Sequence, residues 1–204
     1  MNVAQLMSTR PSKGEETRAQ ILEAAVQMAA VSGFESLTIG TLAEKTGMSK
    51  SGLFAHFGSK LDLQIAALDE AARRFTEAVY QPALKAPRGL KRLRALFENW
   101  IEWPTQLGGG CPIDSAMREY DHKPGPMREA VLERQRLMDR ELVKTVQMAV
   151  DSGELAAKTD VRQLEFEIVA IVLASFRGEA LFGPDESRRR ARAAFDRVIQ
   201  EHRA

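Results

Sequence analysis

The sequence lacks several features on which disulfide-bonded, metal-binding and strongly basic nucleic-acid-binding proteins depend. It has one cysteine, Cys111, in 204 residues, which excludes an intrachain disulfide and a thiolate metal cluster. Its three histidines are scattered without the spacing of a shared metal site. The formal net charge is +1, so charge alone does not indicate a nucleic-acid partner. Any case for DNA binding must therefore come from the geometry of a motif.

Long apolar runs are also missing. No run approaches the roughly 20 residues that a membrane-spanning helix needs. The first ten residues lack the basic segment and apolar stretch of a secretory signal. We therefore expect a cytoplasmic protein without a membrane partner. What is present is 44% hydrophobic residues in a chain rich in Ala, Leu, Glu and Arg, a composition that favours helices. No alternating strand pattern is convincing, so the prediction is an all-α fold.

Glycine, proline and capping residues divide the chain into about nine predicted helices. Residues 1–12 are expected to form a flexible arm. Ser12 with Glu15 forms a capping box, and Ser59 and Asp160 are further N-cap residues. Pro87 is expected to start a helix that ends before or shortly after Pro104. The other helices are predicted at about 13–32, 39–46, 50–56, 60–80, 112–121, 126–151, 160–181 and 185–202.

Residues 38–57 have the spacing of a helix-turn-helix motif. Ala43 is small where two helices must approach closely, and Gly47 follows four residues later, where the chain needs a positive φ. Ser49 can cap a second helix, on which Leu53 lies ten residues after Ala43. From this pattern alone, an ordinary helical hairpin is an equal alternative.

The stretch after the motif favours DNA binding. Residues 53–63, Leu-Phe-Ala-His-Phe-Gly-Ser-Lys-Leu-Asp-Leu, resemble the signature that closes the DNA-binding head of the TetR family, and the resemblance covers about 15–75. It implies a TetR-like all-α fold, with a three-helix DNA-binding head at 13–75 and a ligand-binding and dimerisation body at 76–204. It also implies a homodimer on a palindromic double-stranded operator, released by a small-molecule effector, with no cofactor and no enzymatic activity.

The resemblance implies seven DNA-contacting residues, which are Thr38, Thr41, Lys50, Ser51, Gly52, His56 and Lys60. The two threonines, His56 and Lys60 would contact phosphates. The three residues that begin the second motif helix would face base edges, with Lys50 donating to guanine and Gly52 allowing a close approach. Phe54 departs from the family, which commonly has a tyrosine there, so we expect it to pack rather than to hydrogen bond.

The predicted helix at 160–181 is apolar on two sides, formed by Leu164, Ile168, Ile171 and Ser175, and by Phe166, Val169, Leu173 and Phe176. A surface helix needs one apolar stripe, so the second indicates a partner subunit. A buried central helix of a monomer is the alternative. The arginines at 188–190 and 192 are interpreted as a solvated face.

Six residues are candidates for binding the effector: Phe97, Trp100, Trp103, Cys111, Met117 and Glu119. Plain core packing is an equal interpretation of the aromatic ones. Cys111 would sense oxidants only if exposed and low in pKa, and a buried inert thiol is favoured. Glu119 could bind a polar ligand group or pair with Arg118.

Two other functions remain as alternatives. A small enzyme could use Cys111 or a Glu119–His122 pair, but no oriented nucleophile, base and oxyanion donors accompany them. A helical interaction module that has lost DNA binding is the other. The sequence does not specify the operator, the effector, or whether the protein represses or activates.

Overall fold

The computed structural model describes residues 12–108 and 110–204. These two stretches contain nine helices and no β-strand, which confirms the predicted all-α class. The helix α4 continues into a π-helical turn at Thr76–Tyr80 and one further α-helical turn at Gln81–Ala83. The nine are α1 (Lys13–Ser32), α2 (Ile39–Thr46), α3 (Lys50–His56), α4 (Lys60–Phe75), α5 (Leu90–Gln106), α6 (Pro112–Tyr120), α7 (Pro126–Asp151), α8 (Val161–Phe182) and α9 (Pro184–Glu201).

Side-chain caps determine where several helices begin. Ser12 and Glu15 form the predicted capping box, with the Ser12 amide donating to the glutamate at 2.7 Å. The hydroxyls of Thr38 and Ser59 accept from backbone amides of the first turns of α2 and α4. Asp160 accepts from two amides of α8. These caps satisfy N–H groups that a helix start leaves without partners. Except for Ser12, the predicted arm at 1–12 lies outside the described residues.

The start of α5 differs from its prediction. The helix begins at Leu90 rather than at Pro87, and Gly89 precedes it with φ 93°. The Leu90 amide donates to a carboxylate oxygen of Glu154 at 2.8 Å, so the cap comes from a residue far along the chain. Pro104 lies inside the last turn of α5, and the helix ends shortly after it.

The helices enclose two hydrophobic cores. The head core contains the predicted Ile39, Leu53 and Phe57, and it also takes in Ala116 and Tyr120 from α6. The body core is built from α4, α5, α7, α8 and α9, with one residue each of α1 and α6. The boundary expected at 75/76 falls where α4 passes without a break into its π-helical turn, and it stays a prediction.

The arginine-rich stretch of α9 is not one solvated face. The side chain of Arg188 is only 11% exposed, and it pairs with Glu102 of α5 at 2.9 Å. Arg192 also binds carboxylates of α5, whereas Arg189 and Arg190 lie outside and pair with a glutamate of their own helix. The prediction was wrong for Arg188 and Arg192, because both bind carboxylates of α5.

No helix within residues 12–108 and 110–204 combines the length and apolar character needed to cross a bilayer.

Candidate DNA interface and effector cavity

The motif at 38–57 folds as two short helices crossing at a tight turn. Gly47 ends α2 in the left-handed conformation with φ 69°. The Ser49 hydroxyl accepts from the Gly52 amide at 3.1 Å and starts α3. Ala43 and Leu53 are both buried in the head core. The local chemistry of the turn therefore produces the geometry of a helix-turn-helix.

The outer side of α3 is exposed. Lys50 and Ser51 at its start are both open to solvent, and Gly52 beside them is half-buried. Phe54 is 52% exposed, so the expectation that it packs was wrong. A helix that projects its first turn from a compact head can enter the major groove of B-DNA, which is about 12 Å wide.

The residues expected at phosphates make contacts within the head. The Thr41 hydroxyl accepts from the Thr38 amide at 3.0 Å and donates to the carbonyl of Ser36 at 2.9 Å. The Lys60 ammonium donates to the carbonyl of Glu35 at 3.1 Å. Both side chains remain exposed at the surface. They stabilise the head in the absence of DNA and would have to exchange these partners for a phosphate.

Arg18 was missed by the sequence reasoning. Its guanidinium lies 4.5 Å from the ring centroid of Phe57 and donates to the carbonyl of His56 at 3.4 Å. It therefore ties α1 to the end of α3 and sets the position of His56, which is half-buried. No local pattern marks Arg18, because its partners lie about forty residues away.

A cavity of about 440 Å³ lies among α5, α6, α7 and α8. Three of the six candidate residues line it: Trp100, Cys111 and Met117. Phe97 and Trp103 do not line it, because their rings pack against other aromatic side chains of the body core. The ring of Phe97 stacks on Phe195 at 4.1 Å, and the ring of Trp103 meets the edge of another core aromatic.

Five polar residues that sequence reasoning missed also line the cavity: Asp114, Gln135, Arg136, Asp139 and Glu165. Glu165 is only 8% exposed. Burial, together with the nearby Asp139 carboxyl, raises the pKa of Glu165 to about 7. No local signal reveals Glu165, since Arg162, Gln163 and Glu167 make the start of α8 polar around it. Asp139 comes from α7 and no spacing links the two.

The candidate chemical groups of the alternative enzyme are not assembled. Cys111 is buried, and burial raises the pKa of its thiol to about 11, so it is the inert thiol that was favoured. The His122 ring is exposed and pairs with Asp121. Glu119 faces the head instead, so no Glu119–His122 pair forms.

Glu119 joins α6 to the head. Its carboxylate accepts from the backbone amide of Phe34 at 2.8 Å and from that of Glu35 at 3.3 Å. We call this pair of bonds the α6 latch. Both interpretations of Glu119 were wrong: it does not line the cavity, and Arg118 binds Asp114 one turn earlier instead. Gly33 makes the latch possible, since a Cβ at this position would overlap the Glu119 carboxylate.

The two apolar sides of α8 have different surroundings. Leu164 and Ile168 of the first are buried in the body core. The second is mixed: Phe166 is 65% and Leu173 42% exposed, and Val169, Leu173 and Phe176 line the cavity. The buried-monomer alternative is therefore wrong for this helix.

A helix-turn-helix head with an exposed second helix, carried on an all-helical body, is the architecture of a DNA-binding transcription regulator. Residues 21–67 match the family described as "Bacterial regulatory proteins, tetR family", and residues 89–195 match "Tetracyclin repressor-like, C-terminal domain". The second match alone spans more than half of the chain. The chain therefore belongs to the TetR family of transcription regulators, which are not enzymes.

Known relatives agree with this membership. The chain is 28% identical over 152 residues to the HTH-type transcriptional repressor AcnR of Corynebacterium glutamicum, covering 73% of each chain. A TetR-family regulator from Cytophaga hutchinsonii is 20% identical and superposes with a TM-score of 0.83, over 96% of this chain and 99% of that one. AibR, solved with isovaleryl coenzyme A and operator DNA, is 22% identical with a TM-score of 0.65, over 78% and 85%.

Proposed function

We propose that this regulator is a cytoplasmic homodimeric repressor that binds a palindromic operator and leaves it when a small molecule occupies the cavity. The observation that carries the proposal is the exposed start of α3, where Lys50 and Ser51 project from the helix-turn-helix while Leu53 anchors the helix in the head core. A lysine in this position can donate to guanine O6 and N7 in the major groove.

Phosphate contacts would hold α3 in register. Lys60 lies at the first turn of α4, where free amide groups and the helix dipole attract anions. Its present partner is Glu35, at 3.4 Å between the charged groups, and both side chains are nearly half exposed. An exposed pair of this kind is worth about 0–1 kcal/mol, so a phosphate can replace the carboxylate at little cost.

The proposed dimer would form through α8 and α9. The exposed side chains of Phe166, Leu173 and Leu181 follow one side of α8, and Phe182 closes its end. A run of large apolar side chains of this kind on one helix side marks an interaction surface. Two-fold symmetry would then present two α3 helices about 34 Å apart, which is one turn of DNA.

Effector and operator would be coupled through α6. Cys111, Asp114 and Met117 of this helix line the cavity, and Glu119 and Tyr120 at its other end contact the head. A ligand that fits the cavity better in one position of α6 shifts the balance between two head positions. AibR, solved with a coenzyme A ester and its operator, shows that a protein of this fold can hold both ligands.

The test begins with selection of binding sites from a random duplex pool by the full-length protein. Lys50→Ala should weaken binding and change the preferred sequence. Lys60→Ala should weaken binding to all sequences alike and lower the slope of log affinity against log salt by about one. Lys158→Ala, at an exposed body position, is the matched control and should leave both unchanged.

The outcomes separate the proposal from its alternatives. If neither head variant changes the affinity for the selected operator, the assignment of the interface is wrong. A protein that selects no duplex at all would be an interaction module. A reporter gene behind the selected operator gives the direction of regulation, and higher expression with the protein present would replace repression by activation.

A further inference from the structure

The polar lining of the cavity is mostly acidic. Two of its three carboxylates already have a cation. Asp114 pairs with Arg118, and Asp139 accepts from Arg162 at 2.8 Å. No lysine or arginine in the described parts of the chain forms an ion pair with the third, Glu165. The acidic character of the cavity is therefore concentrated at this one side chain.

Glu165 also has the smallest solvent-exposed fraction of these three groups. It is only 8% exposed and faces the cavity, while its carboxyl lies close enough to that of Asp139 for a hydrogen bond. A buried carboxyl group without a donor costs free energy that a bound cation would recover. Two adjacent carboxyls cannot both ionise easily unless a positive charge sits between them. Arg162 already donates to Asp139, but the described residues give Glu165 no cationic hydrogen-bond donor.

The rest of the cavity is apolar and aromatic. Trp100 and Phe176 offer ring surfaces, and Met117, Met138 and Leu142 add flexible or branched apolar contacts. Its volume of about 440 Å³ lies within the range of small-molecule sites, roughly 300–1,000 Å³. Arg136, which would favour an anion, lies at an exposed position of α7, whereas Glu165 is buried.

We infer that the effector is a hydrophobic amine, whose ammonium group binds between Glu165 and Asp139 while its apolar body lies against Trp100 and Phe176. This rests on the proposed function, since it identifies the chemical class for the same cavity. An ammonium donates up to three hydrogen bonds and supplies the positive charge that two neighbouring carboxylates require. The aromatic rings add apolar area and a cation–π contribution.

The experiment compares three probes that share one body and differ in charge: 4-phenylbutylamine, 4-phenylbutanol and 4-phenylbutyrate. Their affinities for the full-length protein are measured by calorimetry and by fluorescence of the cavity tryptophan. The amine should bind about tenfold more tightly than the alcohol, because a charge-assisted hydrogen bond replaces a neutral one, and the carboxylate should bind weakest.

Two isosteric variants test whether the cavity carboxylates cause the preference for the amine over the alcohol. Glu165→Gln should reduce the advantage of the amine over the alcohol to about twofold or less, because the amide removes the negative charge while keeping the shape. Glu129→Gln, the same change at an exposed position of α7 outside the cavity, is the matched control and should keep that advantage. Asp139→Asn should act in the same direction as Glu165→Gln, which guards against a folding defect in one variant.

Three results would overturn the inference: a carboxylate probe that binds most tightly, equal binding of amine and alcohol or none of either, or an undiminished preference in Glu165→Gln. The proposed function fails differently, through loss of operator selection or through Lys50 and Lys60 variants without effect. A carboxylate probe that binds and releases the operator would refute the amine class and support the effector cavity.

Discussion

The α6 latch can be tested by a double-mutant cycle on Gly33 and Glu119. Gly33 ends α1 with φ 78° and ψ 167°, a conformation that residues with a Cβ rarely adopt. An alanine at this position would overlap the Glu119 carboxylate, the flexible end of a side chain. The carboxylate would therefore turn away, and both of its bonds to the head would break. Gly33→Ala should thus remove the latch as well as strain the backbone.

The expected magnitudes follow from these two costs. Hydrogen bonds to a charged group contribute about 1.5–3 kcal/mol when buried, and the Glu119 pair is partly exposed, so Glu119→Ala should cost about 1–2 kcal/mol. The backbone strain of Gly33→Ala adds about 1–3 kcal/mol, for a total of about 2–5 kcal/mol. In the double variant the latch is already lost, so its cost should equal that of Gly33→Ala alone. The coupling free energy is then about 1–2 kcal/mol.

Urea unfolding followed by circular dichroism measures all four chains. Glu44→Ala removes an exposed glutamate of α2 and serves as a control, with an expected change within about 0.5 kcal/mol. Strictly additive costs of the two single variants would refute the reasoning, since they would mean that Glu119 does not act through the Gly33 loop. A negligible effect of Glu119→Ala would refute it as well.

Two further predictions concern the body. Burial, with the charge of Asp139, raises the pKa of Glu165 to about 7 from 4.5, so the folded protein keeps a proton that the unfolded chain has lost. The unfolding free energy should therefore fall relative to Glu165→Gln between pH 4.5 and 7, by about 1–3 kcal/mol, and then level off. Parallel urea-unfolding profiles of the two chains against pH would contradict this. Leu173→Glu should convert the proposed dimer to a monomer in light scattering, whereas Leu84→Glu, an exposed apolar position off the α8 stripe, should not. A dimeric Leu173→Glu would place the interface elsewhere.

The head was predictable because its signals are local. The caps at Thr38, Ser49 and Ser59 lie within three residues of the amides that they accept from, and Gly47 lies at the turn that needs its φ. The bounds of α1, α2 and α3 follow from such neighbours. The contact between the two motif helices is likewise local, because the positions of Ala43 and Leu53 depend only on α2, α3 and the turn between them.

The features that failed depend on distant residues. The cap on Leu90 comes from Glu154, and the partners of Glu119 lie more than eighty residues away. Phe54 was expected to pack because it is apolar, but α3 projects and leaves its outer side without a neighbour. The pattern of hydrophobic residues predicts which side of a helix is buried. It does not predict which other helix packs against that side. For the same reason, the sequence could not predict that the three carboxylates of the cavity, which come from α6, α7 and α8, lie close together.

The position of α6 in both cores sets a limit on how the proposed regulation can work. This helix has only nine residues, with Ile113 buried in the body core and Ala116 in the head core. Packed interiors have few voids, so a shift of α6 caused by a ligand must be passed on to the head. Allosteric coupling is typically about 1–3 kcal/mol, and breaking the latch is expected to cost a similar amount. If the latch breaks only in the conformation that leaves the operator, its loss accounts for a change of at most about tenfold in operator affinity.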